Sequence, residues 1–250
     1  EMDSDSIVSL SNNDLGTNNT LFGKNAGDSI LSGGNYNVMM GHDAGEFLTT
    51  ADNSVFVGYQ AGQGITGDKL TGSNNIAIGY KAGFLLQGGA DDNTLVGTQT
   101  GTAITTGDNN TIIGYNAGAA LTTGSHHTAL GYKALNAADD STYNIAIGYE
   151  AMSGDDLGNY NIAIGYQTLD TDTSSGGSNI AMGYRAMGSG AVSGSNQVAI
   201  GRQALEALTS GTLNMAIGYQ AGFSITDGQG NVAVGYAAVD SAISTNDNVG

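Results

Sequence analysis

Thirteen short phrases ending in glycine recur along the chain. Asn-Ile-Ala-Ile-Gly-Tyr stands complete at Asn75–Tyr80, Asn144–Tyr149 and Asn161–Tyr166, and looser copies occupy the rest. Their glycines are Gly23, Gly41, Gly58, Gly79, Gly97, Gly114, Gly131, Gly148, Gly165, Gly183, Gly201, Gly218 and Gly235. Eleven of the twelve intervals are 17 or 18 residues, and only Gly58 to Gly79 is longer, at 21. Self-similarity at a fixed period of this length is the signature of a repeat architecture, in which each unit buries its apolar side only by stacking on the next.

Counted from the glycine, positions −3 and −1 are mostly Ile, Val, Leu, Met or Thr, and −2 is Ala in eight copies. Position −4 is Asn in ten, with Ser54, His127 and Gln197 as the exceptions. An alternation of period two predicts a short strand with two different faces, closed by a glycine where a side chain would be penalised. Position +3 is small and +7 is apolar in ten copies, among them Ile30, Leu48, Ile65, Leu86, Ile104, Leu121, Leu208 and Ile225. These predict a second short extended segment and then a polar loop. Helical repeats conflict with the recurrent Gly, the many β-branched residues and the period of two. The fold class read from the pattern is all-β: a parallel β-solenoid of about 13 to 14 coils, 17–18 residues each. Stacked at about 4.8 Å per rung, thirteen rungs would make a rod about 58 Å long.

Such coils enclose little. The expectation is that −3, −1 and +7 fill the interior, while Ala77, Ala129, Ala146, Ala163, Ala181, Ala199, Ala216 and Ala233 at −2 face outward. A long exposed stripe of small apolar groups marks an interface, which predicts self-association with rotational symmetry. Composition narrows the remaining classes. Six Lys and Arg face 23 Asp and Glu, a formal charge of −17, which repels phosphate backbones and argues against nucleic-acid binding. No run approaches the roughly 18 apolar residues that span a bilayer, so no membrane insertion is expected of this segment. With no Cys there is no disulfide scaffold and no thiolate metal site.

The repeat Ser/Asn-Val/Ile-Ala-Ile-Gly-x-x-Ala resembles that of YadA-like heads, the left-handed parallel β-rolls of trimeric autotransporter adhesins. With Tyr after the Gly it is also similar to units in the tail fibres of tailed bacteriophages. The resemblance runs from Asn19 to Val239. It implies a homotrimer of rolls side by side, an extracellular location on a virion tail fibre or a bacterial surface, and attachment to a host cell-surface glycan or protein receptor. The 17–18-residue unit is longer than the compact head repeat, and no helical neck, coiled-coil stalk or membrane-anchoring barrel is visible, which favours the phage-type fibre over the adhesin head.

Tyrosines follow the glycine in nine copies: Tyr59, Tyr80, Tyr115, Tyr132, Tyr149, Tyr166, Tyr184, Tyr219 and Tyr236. Stacked by the solenoid they form an aromatic ladder, either cementing the rungs or offering rings to the C–H faces of sugars. The Asn row at −4 suits side-chain hydrogen bonding along the stack. Acidic doublets at Asp91-Asp92, Asp139-Asp140 and Asp155-Asp156 could collect Ca²⁺ weakly, but lack the spacing of a calcium loop. His42, His126 and His127 make a poor metal set, since adjacent strand residues point to opposite faces. No cofactor is expected. Nor is an enzyme: paired carboxylates could hydrolyse glycosides in a long-coiled groove, and these coils are short and uniform.

Residues 1–16 read as an irregular lead-in segment or cap, and 17–250 as a single β-solenoid repeat domain continuing beyond 250, because Asn248-Val249-Gly250 starts another copy. Two irregularities stand out. The 21-residue interval inserts a longer loop at about Gly64–Ser73 that carries Lys69. Position +4 is Gly in the first six coils and then becomes Leu135, Met152, Leu169, Met187 and Leu205, which predicts a change of packing near Gly131.

Overall fold

The computed structural model describes residues 8–10, 16–136, 140–154, 158–170, 176–189 and 192–239. Among these the protein is all-β and helix-free, a parallel β-solenoid with one three-residue strand per coil. The chain divides into two compact units, Glu1–His127 and Thr128–Gly250. The first holds β1 (Val8–Leu10), β2 (Thr20–Phe22), β3 (Val38–Met40), β4 (Val55–Val57), β5 (Ile76–Ile78), β6 (Thr94–Val96) and β7 (Thr111–Ile113). The second holds β8 (Thr128–Leu130), β9 (Ile145–Ile147), β10 (Ile162–Ile164), β11 (Ile180–Met182), β12 (Val198–Ile200), β13 (Met215–Ile217) and β14 (Val232–Val234). Each strand from β2 onward occupies positions −3 to −1, so the repeated phrase is the strand.

Within each unit the strands pair in parallel and in strict register, for example Ile162 with Ile180, Ala163 with Ala181 and Ile164 with Met182. The exception is β1, which pairs antiparallel with β2, Val8 opposite Phe22. It occupies the edge of β2 that faces away from β3. β1 falls within the residues 1–16 that the sequence sets apart from the repeats. The copy that starts at Asn248 lies outside the described residues.

Glycine ends each strand for a backbone reason. Gly79 has φ +137°, and a Cβ there would collide with the carbonyl of Gly97 in the next coil. The same approach recurs from Gly23 to Gly97 in the first unit and from Gly131 to Gly218 in the second, so within each unit the glycine column is a line of coil-to-coil backbone contact. After it the chain turns with positive φ at +2 and +4, as at Lys81 (+54°) and Gly83 (+59°). The second extended segment expected around +7 forms no named strand. Its backbone still bonds from coil to coil (Leu31 N–H to Thr49 C=O, 2.9 Å; Thr105 to Thr122, 2.9 Å; Thr209 to Thr226, 2.8 Å), and isolated bridges join Leu48 to Leu70 and Leu70 to Gly88.

The alternation was real, but its faces are the reverse of those expected. Ala77, Ala129, Ala146, Ala163, Ala181, Ala199, Ala216 and Ala233 are fully buried within their own chain, so they form no outward seam. The flanking −3 and −1 residues point outward instead. The reason is width. A coil this short admits one inward side chain per strand, and that position must also leave room for +3, +4 and +7, which are buried at Ala82, Leu169 and Leu86 among others. Two β-branched rows could not fit where one Ala does.

Two polar ladders run along the stack, one buried at −4 and one half-buried at −6. At −4 every side chain of the described coils is buried, and within each unit the Asn, Ser and Gln oxygens accept the backbone N–H of the next −4 residue, for example Asn37 to Asn19 (2.8 Å), Asn179 to Asn161 (2.9 Å) and Asn231 to Asn214 (2.9 Å). The amide nitrogen donates to a backbone carbonyl of the next coil, as Asn161 Nδ2 does to Gly176 (3.0 Å). The bonding is thus mainly side chain to backbone, with amide-to-amide bonds at Asn93 to Asn75 and Asn231 to Asn214. A second ladder at −6 runs in the opposite sense. The N–H of Asn35 donates to Asp52 Oδ1 of the next coil (2.6 Å), Asp52 to Ser73 Oγ (3.0 Å), Asp91 to Asp108 (2.8 Å) and Gly177 to Ser195 (3.1 Å).

Candidate functional site: an outward apolar face with tyrosine ladders

Because −2 points in, −3 and −1 stand on the outer face of each strand. In the second unit this face carries Ile145 and Ile147, Ile162 and Ile164, Ile180 and Met182, Val198 and Ile200, Met215 and Ile217, and Val232 and Val234. None of these is buried, and Ile200, Met215, Ile217 and Val234 are 37–55% exposed. The first unit has a matching face in Val55 and Val57, Ile76 and Ile78, and Val96 and Ile113. In-register rows of partly to largely exposed Ile, Val and Met side chains form contiguous apolar patches of the kind that mark interaction sites.

Beside these rows lie the expected tyrosines, and the solenoid does bring them into stacks. Tyr132, Tyr149, Tyr166 and Tyr184 follow one another at centroid distances of 4.8, 5.0 and 5.2 Å, with ring planes within 10° of parallel. Tyr59 stacks on Tyr80 (5.6 Å) and Tyr219 on Tyr236 (5.3 Å). His42 extends the first stack onto Tyr59 (5.5 Å) while its Nδ1 meets Asp43 (2.9 Å). Tyr115 holds the equivalent half-exposed position. Burial in the stack and the neighbouring Glu150 carboxylate push the Tyr149 phenol above its ordinary pKa. Where rings lie one over another, each covers its neighbour's face. A sugar needs an open face, so the interior of the ladder offers ring edges and hydroxyls, not a C–H packing surface.

Three of the six cations lie against rings. Arg202 takes the ladder position between Tyr184 and Tyr219, its guanidinium 5.2 and 5.7 Å from their centroids. Lys81 lies over Tyr80 and Phe84, and Lys133 over Tyr132. Arg185 does pair with the buried Glu206 (3.2 Å), which Ser189 also contacts (2.8 Å). Each exposed contact contributes about 0.5–1 kcal/mol.

The acids of the first doublet are ladder residues. Asp91 accepts the Ser73 N–H (2.5 Å), and Asp92 accepts from Asn74 Nδ2 (3.0 Å). Asp139, Asp155 and Asp156 lie outside the described residues. Among the described residues no group of three or more acids, His or Cys could hold a metal, and no helix is long and apolar enough to cross a membrane. His126 is exposed and His127 buried in the −4 ladder, on opposite sides of the backbone as the alternation requires.

One group escaped the sequence reading. Position −5 has positive φ in every described coil, usually with Asn, Asp or Ser there, but Tyr36, Tyr143, Tyr160 and Leu213 also adopt it, at +59 to +61°. Tyr143 and Tyr160 stack at 5.1 Å and 3°, a second aromatic pair. The signal was the residue before the ladder Asn, which looked like loop because it shares no hydropathy with its counterparts. Comparison with protein-family models, curated proteins and solved structures returned no match.

Proposed function

We propose that this chain is a non-enzymatic segment of a homotrimeric attachment fibre. Its repeats would be left-handed β-rolls packed side by side, as the resemblance to YadA-like heads and phage tail-fibre repeats implies. The observation that carries the reading is the outward apolar face: rows of Ile, Val and Met along each unit, which a second and third copy of the chain would cover. Burying a half-exposed Ile contributes about 1 kcal/mol, so the seven rungs of the second unit add up to a stable contact. Proposed as part of a phage-type tail fibre, the segment holds a receptor-contacting surface away from the particle; the alternative is the head of a bacterial surface adhesin. In both, the partners are the chain itself and a host-surface glycan or protein.

Sedimentation equilibrium of the native protein tests the assembly. The expected mass is three times the 25.1 kDa chain. A monomer at micromolar concentration would defeat the proposal. A paired variant, Ile162→Lys with Ile180→Lys, is expected to shift the trimer to monomer while leaving the interior of each coil untouched.

A further inference from the structure

Tyr160 occupies an unusual place. Its φ of +61° is strained for a bulky residue, by about 1–2 kcal/mol, where Asn or Gly would be cheap. Elsewhere in the coil such strain is offset by burial: Leu169, with φ +48°, is completely enclosed. Tyr160 is not enclosed; it is 59% exposed. Its stack on Tyr143 covers one face of the ring. The other face looks along the stack towards the next coil, where the equivalent residue is the small, exposed Ser178, preceded by Gly177. Only at the coil after that does a longer polar side chain, Asn196, return to the position.

The coil-to-coil bonds fix this alignment. Tyr160 N–H donates to Thr142 C=O (3.2 Å), Ser178 to Asn159 (3.0 Å) and Asn196 to Gly177 (3.1 Å). Between the ring of Tyr160 and Asn196 there is therefore a slot two rungs high, about 9.6 Å. A pyranose at van der Waals distance of about 4 Å from the ring and as far from Asn196 fills that height. The slot has the groups a sugar needs: an open aromatic face, the Ser178 hydroxyl, the Asn196 amide, and Ser195 Oγ, which accepts the Gly177 N–H (3.1 Å) and keeps its own proton to donate.

We infer that this slot binds one pyranose of a neutral glycan, with Tyr160 as the platform and Ser178, Ser195 and Asn196 as hydroxyl partners. Net charge selects within the class: at −17 the protein repels glycans bearing carboxylate or sulfate. The inference deepens the attachment reading by naming the ligand chemistry and the coil that takes it.

The test is titration of the native protein with a panel of neutral hexose and N-acetylhexosamine oligosaccharides, followed by protein NMR or calorimetry. Millimolar affinity is expected for at least one member. Tyr160→Asn keeps the backbone conformation and should lower that affinity at least tenfold, with a melting temperature no lower than the wild type's and oligomeric mass unchanged. Ser178→Tyr, which extends the stack into the slot, should abolish binding while the fold persists. Binding by no member of the panel, binding unaffected by both variants, or an altered mass for Tyr160→Asn would each overturn the inference. If the wild type adheres to host cells yet binds no neutral sugar, the slot fails and the attachment reading stands. A monomeric mass defeats that reading and leaves the slot to be judged by the titration alone.

Discussion

The two units use one coil but fill it differently. In the first, the inward strand residue is large in five of six coils, Leu21, Met39, Phe56, Leu95 and Ile112, and +4 is Gly. In the second, −2 is Ala throughout, and from Leu135 to Leu205 the volume at +4 is Leu or Met, all fully buried. The exchange is steric. A Cβ at Gly62 would meet the Phe56 ring at 2.6 Å, and one at Gly101 would meet Leu95 at 3.1 Å. Where both positions are small, a neighbouring coil helps to supply the atoms: Leu95 of the next coil closes on Gly83 beside Ala77, together with Leu86 of the same coil, and Leu205 of the preceding coil closes on Gly222 beside Ala216. What the architecture holds constant is the volume inside a lap, not the residue that provides it. Each solution has its cost. Glycine loses more chain entropy, and Leu or Met at positive φ carries about 1–2 kcal/mol of strain that burial offsets.

The largest effect should come from forcing both solutions into one coil. Gly62→Leu places a side chain against Phe56 at positive φ and is expected to destabilise by about 3 kcal/mol or more in chemical denaturation. Adding Phe56→Ala, itself costing about 3–5 kcal/mol alone, should recover part of the loss, because the double variant has the pattern of the second unit. Strictly additive losses would show that volume is not exchanged between −2 and +4. Next in size, Leu169→Ala should cost about 2–4 kcal/mol, and Leu169→Gly less than that if release of backbone strain offsets part of the cavity. Asn161→Leu removes the acceptor for Asn179 N–H and the donor to Gly176, an expected loss of about 2–3 kcal/mol that should be similar at Asn93 in the other unit. Smallest is Tyr166→Ala, about 1 kcal/mol, since the stack is half exposed. A loss there above that of Leu169→Ala would mean the ladder, not the interior, holds the second unit together.

Strand positions, the glycine column and the period were legible because each repeats in phase. Position +4 was legible too: its switch after Gly118 announced the change in packing, and Leu135, Met152, Leu169, Met187 and Leu205 are indeed enclosed. Which face turned inward was not. Ile-Ala-Ile is apolar on both sides, so the usual contrast between wet and dry faces is missing, and only the width of the coil decides. The −6 ladder escaped notice because Asn35, Asp52, Ser73, Asp108 and Ser195 share no residue type, only an oxygen at the right reach. Tyr143 and Tyr160 were hidden for the same reason, at a position that also takes Asn, Asp, Ser, His126, Leu213 and Gly230.

The 21-residue coil shows how the stack treats extra length. Its surplus lies at residues 66–69, all exposed, while Leu70 returns to bridge Leu48 and Gly88. Gly67 has no heavy atom within 4 Å of where a Cβ would stand. The polypeptide leaves the wall there and rejoins it in register, which makes this bulge a natural splice point. A foreign peptide grafted at Gly67 would be displayed outside the wall without disturbing a single rung.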